Sequence, residues 1–191
     1  MLTYDLSIIV ATARSANLVR VLDYIEQQSV AGLAVEIIII QEAMDERDHR
    51  KFNLDTKLPV NDLVVKMQQL HGDYGAAARD VGITEAKGEY LVFWDDDNIY
   101  YQHALVSQYS AAQGFDIGIV RTKHQNLIIP TANNIKAGDI DTMCLCVKRE
   151  LAARERWATN GGRYSDYRWL SKLLKHNPIV NYSKVIIGHH L

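Results

Sequence analysis

Asp95-Asp96-Asp97-Asn98 follows without a break on the apolar run 90–94. Three adjacent carboxylates repel one another, so a folded chain keeps them together only where solvent or a cation compensates. Mg2+ or Mn2+ suits such a cluster, because it takes one or two hard carboxylate oxygens and completes its shell with water and substrate phosphates. That chemistry describes a nucleotide-diphosphate site. A solvated acidic turn is the competing reading, since Asp and Asn are ordinary residues after a strand. The uninterrupted apolar run in front of the cluster favours a site, because ligands of open α/β sheets bind beyond the carboxyl ends of buried strands.

The rest of the chain must position that cluster. Its 191 residues allow one α/β domain, expected to span 1–191. A net charge of −2 with 48% hydrophobic residues excludes both the strongly basic balance of a nucleic-acid binder and the sparse apolar content of a disordered chain. Cys144 and Cys146 are spaced too poorly for a metal knuckle and read as core packing in a reducing compartment. The sequence offers neither a signal-type segment nor an apolar run of about 20 residues, so no membrane span and a cytoplasmic location are expected.

Segment 4–11 reads as a buried strand, and Leu18, Val21, Leu22 and Ile25 then recur at helical spacing. A second buried strand, 35–40, delivers Gln41 and Glu42, and the β-α-β order implies a parallel pair with a right-handed crossover. Segment 47–60 reads as loop and 63–67 as a third strand. His71-Gly-Asp-Tyr-Gly75 breaks the chain before a helix over 76–87, whose start offers N–H groups to an anion. Beyond the aspartates the pattern predicts helices over 102–113, 149–157 and 166–176. Strands are expected at 115–120, 139–147 and 180–187, with a short edge strand at 127–130.

Ala78-Arg-Asp-Val-Gly-Ile-Thr-Glu-Ala-Lys-Gly-Glu-Tyr-Leu-Val-Phe-Trp-Asp-Asp-Asp97 resembles, almost position by position, the pattern a-R-N-x-G-x-x-x-A-x-G-E-Y-(apolar)-D-x-D of GT-A glycosyltransferases, especially family 2. The element order is similar over nearly the whole chain. The resemblance implies a three-layer α/β sandwich with a mostly parallel central sheet. It also implies metal-dependent transfer, with inversion, of a sugar from a UDP-sugar or other nucleotide-diphosphate sugar to a saccharide or lipid-linked acceptor hydroxyl. The alternative is a non-catalytic nucleotide-sugar-binding protein of the same fold.

By matched position, the resemblance puts Asp95 near the ribose, Asp96 at the variable middle position and Asp97 on a Mg2+ or Mn2+ that bridges the diphosphate. It puts Thr12, Ala13 and Arg14 at the nucleoside, Arg79 at base or phosphate, and Gly72 and Gly75 in the loop beside the donor. Asp166, opening a helix, takes the place of the general base, although Asp in a first turn is also what a helix dipole prefers. His189 and His190 both qualify to complete the metal shell. The chain departs from the family at Ala11-Thr-Ala-Arg14, where Pro-Thr-Tyr-Asn is usual, and at Gln41-Glu-Ala-Met44, where Asp-Asp-Gly-Ser is usual. Glu42 can still accept from a uracil N–H, with Gln41 as the alternative reader. Ser165 stands where a glutamate usually precedes the base. Tyr100, Tyr101, Trp157, Tyr167 and Trp169 fit either a sugar subsite or the core. With no glycine in Thr12-Ala-Arg-Ser15, neither a nucleotidyltransferase phosphate loop nor a dinucleotide fingerprint is present.

Overall fold

Strands that are apolar on both alternating faces need cover above and below, and that requirement shapes the molecule. The computed structural model describes residues 4–13, 15–30, 32–41, 62–66, 75–157 and 163–191. In chain order these form β1 (Leu6–Thr12), α1 (Ser15–Glu26), β2 (Val35–Gln41), β3 (Asp62–Lys66), α2 (Ala76–Glu85), β4 (Tyr90–Asp95), β5 (Ile99–Tyr100) and α3 (Ala104–Ala112). There follow β6 (Ile117–His124), β7 (Leu127–Ile129), a 3-10 turn (Thr142–Cys144), β8 (Leu145–Lys148), α4 (Arg149–Ala152), α5 (Ser165–Leu174) and β9 (Val180–His190).

One mixed sheet runs β3-β2-β1-β4-β8-β6-β9-β5, with β7 at the side of β6. Its parallel ladders, β1–β2, β1–β4, β2–β3 and β6–β9, occupy most of the strands' length. The antiparallel ladders β4–β8, β6–β8, β6–β7 and β5–β9 hold only two or three residue pairs each. The sheet is therefore mostly parallel, as the α/β reading requires. β2 is buried along its whole length, and β1 and β4 at all but one position each, so successive side chains on both faces are covered. Leu18, Val21, Leu22 and Ile25 of α1 and Trp169, Leu170 and Leu173 of α5 supply part of that cover.

Local expectations fail where tertiary hydrogen bonds overrule propensity. The helix expected over 149–157 is the single turn α4, because Trp157 N donates to Asp80 Oδ1 at 2.7 Å and the Glu155 carbonyl accepts from Trp169 Nε1 at 3.0 Å. The strand expected over 139–147 begins only at Leu145. Asp141 caps the 3-10 turn, its carboxylate accepting from Met143 N at 2.9 Å, a local bond that competes with extended pairing. The last strand runs three residues past its expected end, to His190. The expected loop 47–60 lies outside the described residues.

Candidate functional site

β1 and β4 end side by side, with Ala11 in register with Asp95, so the loops after both strands open at the same edge. Asp95 closes β4. Its Oδ1 pairs with Arg79 Nη2 and its Oδ2 accepts from Thr142 Oγ1 at 2.8 Å. Its backbone N–H donates to the Tyr100 hydroxyl at 2.8 Å, and the Tyr100 ring stacks on Trp94 with centroids 3.8 Å apart. Asp96 turns inward: it is buried, Thr12 Oγ1 donates to its Oδ2 at 2.6 Å, and Arg20 donates to its carbonyl at 3.0 Å. Asp97 is half-buried and faces the cavity beyond the strand ends. Asp95 and Asp96 thus have separate partners, and the repulsion among the three carboxylates is met by Arg79, by hydroxyl donors and by the open side of the cavity.

Arg79 comes from the first turn of α2, which Gly75 opens in a left-handed conformation, φ 75°. A Cβ at Gly75 would lie 3.3 Å from both Arg79 Nη1 and Ala11 Cβ, so the missing side chain leaves room for the guanidinium. Arg79 is buried, with its guanidinium carbon 5.1 Å from the centroid of the Trp157 ring. Trp157 in turn stacks on Trp169 at 4.0 Å, and Phe93 packs edge-on against both. Burial alone would lower the guanidinium's pKa; Asp95, Asp166 and Asp141 outweigh it and hold the pKa above its usual value.

The cavity measures about 390 Å³, and Arg79, Asp95, Asp96, Asp97, Asp141, Arg163, Tyr164, Ser165, Asp166 and His190 line it. Asp166 is the second residue of α5, and Ser165 Oγ donates to its Oδ1 at 3.1 Å. Burial pushes the Asp166 carboxyl above the usual range, Arg79 pulls it back, and Asp95 pushes it up again. Asp141 is raised well above that range by burial and by repulsion from Asp166 and Asp95. His190 Nδ1 lies 3.5 Å from Asp141 Oδ2 and 2.6 Å from His124 Nδ1, across the β6–β9 register pair His124–His190. Burial, then His190, lowers the His124 pKa.

Strand alternation separates the two C-terminal histidines. His190 lines the cavity, whereas His189 Nε2 sits 2.7 Å from the Tyr101 hydroxyl and is not among the cavity residues. Of the positions singled out from sequence, Arg79, Asp95, Asp96, Asp97, Asp166 and His190 converge on one cavity, with Thr12 behind Asp96 and Ala13 exposed at the end of β1. Arg14, Glu42 and Gly72 lie outside the described residues. Tyr100, Trp157 and Trp169 are buried in the core, and Tyr167 packs against it. Sequence reasoning missed Asp141, Arg163 and Tyr164. Asp141 carried a signal, an Asp placed to cap the turn after it, but the alternating pattern around it looked like a strand.

A divalent metal fits this donor set. Asp97 offers a hard oxygen, and His190, whose Nδ1 faces His124 and Asp141, has an Nε2 with no hydrogen-bond partner among the described residues. Among the described residues no three His, Cys, Asp or Glu side chains group to hold an ion. Binding would then depend on substrate oxygens and water, as is usual for Mg2+ at phosphates.

A family model described as glycosyl transferase family 2 matches residues 7–127. No curated protein matches the chain. Among solved structures, S. aureus TarS 1-349 in complex with UDP aligns with a TM-score of 0.76 at 13% identity over 97% of this chain and 60% of that one. The TarS 1-349 complex with UDP-GlcNAc aligns at 0.73, also with 13% identity, over 97% and 58%. The mannosyltransferase PcManGT from Pyrobaculum calidifontis, in complex with GDP-Man and Mn2+, aligns at 0.70 with 16% identity over 99% of this chain and 57% of its own. The chain covers 36% of the longer TarS structure, so it spans only part of these neighbours.

Proposed function

Because the chain belongs to glycosyl transferase family 2, we propose that residues 1–191 form a nucleotide-sugar-binding catalytic domain that moves a sugar from a UDP-sugar to an acceptor hydroxyl with inversion. The observation that carries this reading is the meeting of Asp97, the Arg79–Asp95 pair and Asp166 on one cavity at the carboxyl ends of β1 and β4. UDP and UDP-GlcNAc in the TarS complexes favour UDP as the donor nucleotide. GDP-Man with Mn2+ in the mannosyltransferase supports the metal. Asp97 and His190 would hold Mg2+ or Mn2+, which supplies charge neutralisation for the departing diphosphate. Arg14, Glu42 and Gly72 remain proposed donor contacts, as do Thr12 and Ala13.

Each of the chain's own groups has a defined task. Arg79, held rigid over Trp157, presents a permanent cation near the leaving group. Asp166 accepts the acceptor hydroxyl's proton as the new C–O bond forms at the anomeric carbon and the bond to the phosphate oxygen breaks. Its raised pKa makes it a stronger base than an ordinary carboxylate while leaving it ionised at sufficiently high pH. Buried, unpaired Cys144 and Cys146 favour a cytoplasmic setting, and no helix among the described residues is long and apolar enough to cross a membrane.

Incubation with UDP-GlcNAc, UDP-glucose or UDP-galactose, Mn2+ and an acceptor panel, with UDP release as readout, tests the reading. Intact protein is expected to release UDP and Asp166→Asn to lose turnover while still binding UDP. Tight UDP binding without transfer or hydrolysis of any donor would make the chain a binding protein instead.

A further inference from the structure

The most exposed aromatic on the cavity wall is Tyr164, two residues before Asp166 and 45% exposed. Its backbone is left-handed, φ 74°, a conformation uncommon for a bulky side chain and frequent at functional sites. The ring is nevertheless seated. Gly138, also left-handed at φ 82°, lacks a Cβ that would lie 3.0 Å from Tyr164 Cε1, and the Arg163 guanidinium carbon lies 5.9 Å from the ring centroid. A large apolar ring is thus held at the surface by its neighbours although folding gains little from leaving it there.

We infer that Tyr164 is the platform on which the acceptor saccharide packs, an inference that rests on the transferase reading. A pyranose has an apolar C–H face that suits the face of an aromatic ring carrying a polar tip. Chain position ties the ring to Asp166 rather than to the groups that hold the diphosphate. The donor's diphosphate belongs at Arg79 and Asp97, beyond β4, and the acceptor hydroxyl belongs at Asp166. Two residues of chain reach at most about 7 Å. Because both residues line the same cavity, a sugar whose hydroxyl sits at Asp166 is within reach of the Tyr164 ring. The buried Trp157 and Trp169 are in the core and cannot take this role.

Glycine adopts the left-handed backbone without strain, so Tyr164→Gly removes the ring without adding a backbone penalty. The probes are methyl glycosides of glucose, galactose, mannose and N-acetylglucosamine and of their disaccharides, added to protein with UDP and Mn2+. Saturation-transfer NMR on their C–H protons reads contact, and UDP release reads transfer. Intact protein and Tyr164→Phe are expected to saturate the same glycoside, with acceptor KM values within about twofold. Tyr164→Gly is expected to lose that signal and raise acceptor KM about five- to tenfold, with kcat changed far less. UDP affinity by calorimetry and the melting temperature should not fall. Unchanged saturation and KM in Tyr164→Gly overturn the inference, as does the absence of saturation of every glycoside by intact protein that binds UDP. Absence of UDP binding by intact protein instead refutes the transferase reading beneath it.

Discussion

Arg79→Met isolates the cation on which the carboxylate cluster depends. Methionine keeps an unbranched apolar stem beside Trp157 and removes the charge paired with Asp95. Breaking a buried pair by removing one partner costs about 3–5 kcal/mol. Here the low end applies, since Asp95 keeps its Thr142 hydrogen bond and its side chain is 22% exposed. The contact over Trp157 adds up to about 1 kcal/mol. A total of about 3–4 kcal/mol corresponds to a fall in melting temperature of roughly 10 °C for a domain of this size.

The deficit must depend on pH. Asp141 and Asp166 have folded pKa values raised above their unfolded ones, so the stability linked to their protons is present below the ordinary carboxylate pKa and lost as pH rises through the folded values. Loss of Arg79 raises both further. The melting difference between variant and intact protein should therefore be full at pH 8 and should shrink as pH falls to about 4, near the ordinary carboxylate pKa. Calorimetric melts across that range measure it. A fall of less than about 3 °C at pH 8, or one independent of pH, would refute the electrostatic argument.

Asp141→Asn keeps an oxygen for Met143 N and removes one charge from the crowded cluster, so it should raise the melting temperature at pH 8 and lose that advantage near pH 4. Thr12→Ala deletes the hydroxyl that ties the end of β1 to Asp96, and urea unfolding should show a loss of about 1–2 kcal/mol. Mn2+ affinity in the presence of UDP, read by electron paramagnetic resonance, should fall at least about tenfold in His190→Ala and by about tenfold in His124→Ala, whose ring orients His190. His189→Ala, which loses a contact to Tyr101 outside the cavity, should leave it unchanged.

The parts of this site that strands deliver were legible because burial on both faces leaves an unbroken apolar run, as in β1, β2 and β4, and the polar residue ending such a run sits at the sheet's edge. Asp166 was legible because a helix start places it. The choice between His189 and His190 was open because it depends on strand phase, which becomes readable only once β9 is seen to pair with β6 through both histidines. Asp141 stayed hidden because a single capping hydrogen bond decided its conformation against an alternating pattern that spelled strand. The aromatics were the least legible. Trp157 and Trp169 lie 12 residues apart and become the stacked layer beneath Arg79 only through tertiary packing, while Tyr164 remains outside.

Titration of UDP into the protein with and without Mn2+, for the intact chain and for Asp97→Ala, tests most directly whether the cavity beyond β4 is a metal-dependent nucleotide site. The account predicts UDP binding that Mn2+ strengthens at least about tenfold in the intact chain, and a gain abolished by Asp97→Ala in a variant whose melting temperature is preserved. Equal UDP affinity in both proteins, indifferent to Mn2+, would contradict it.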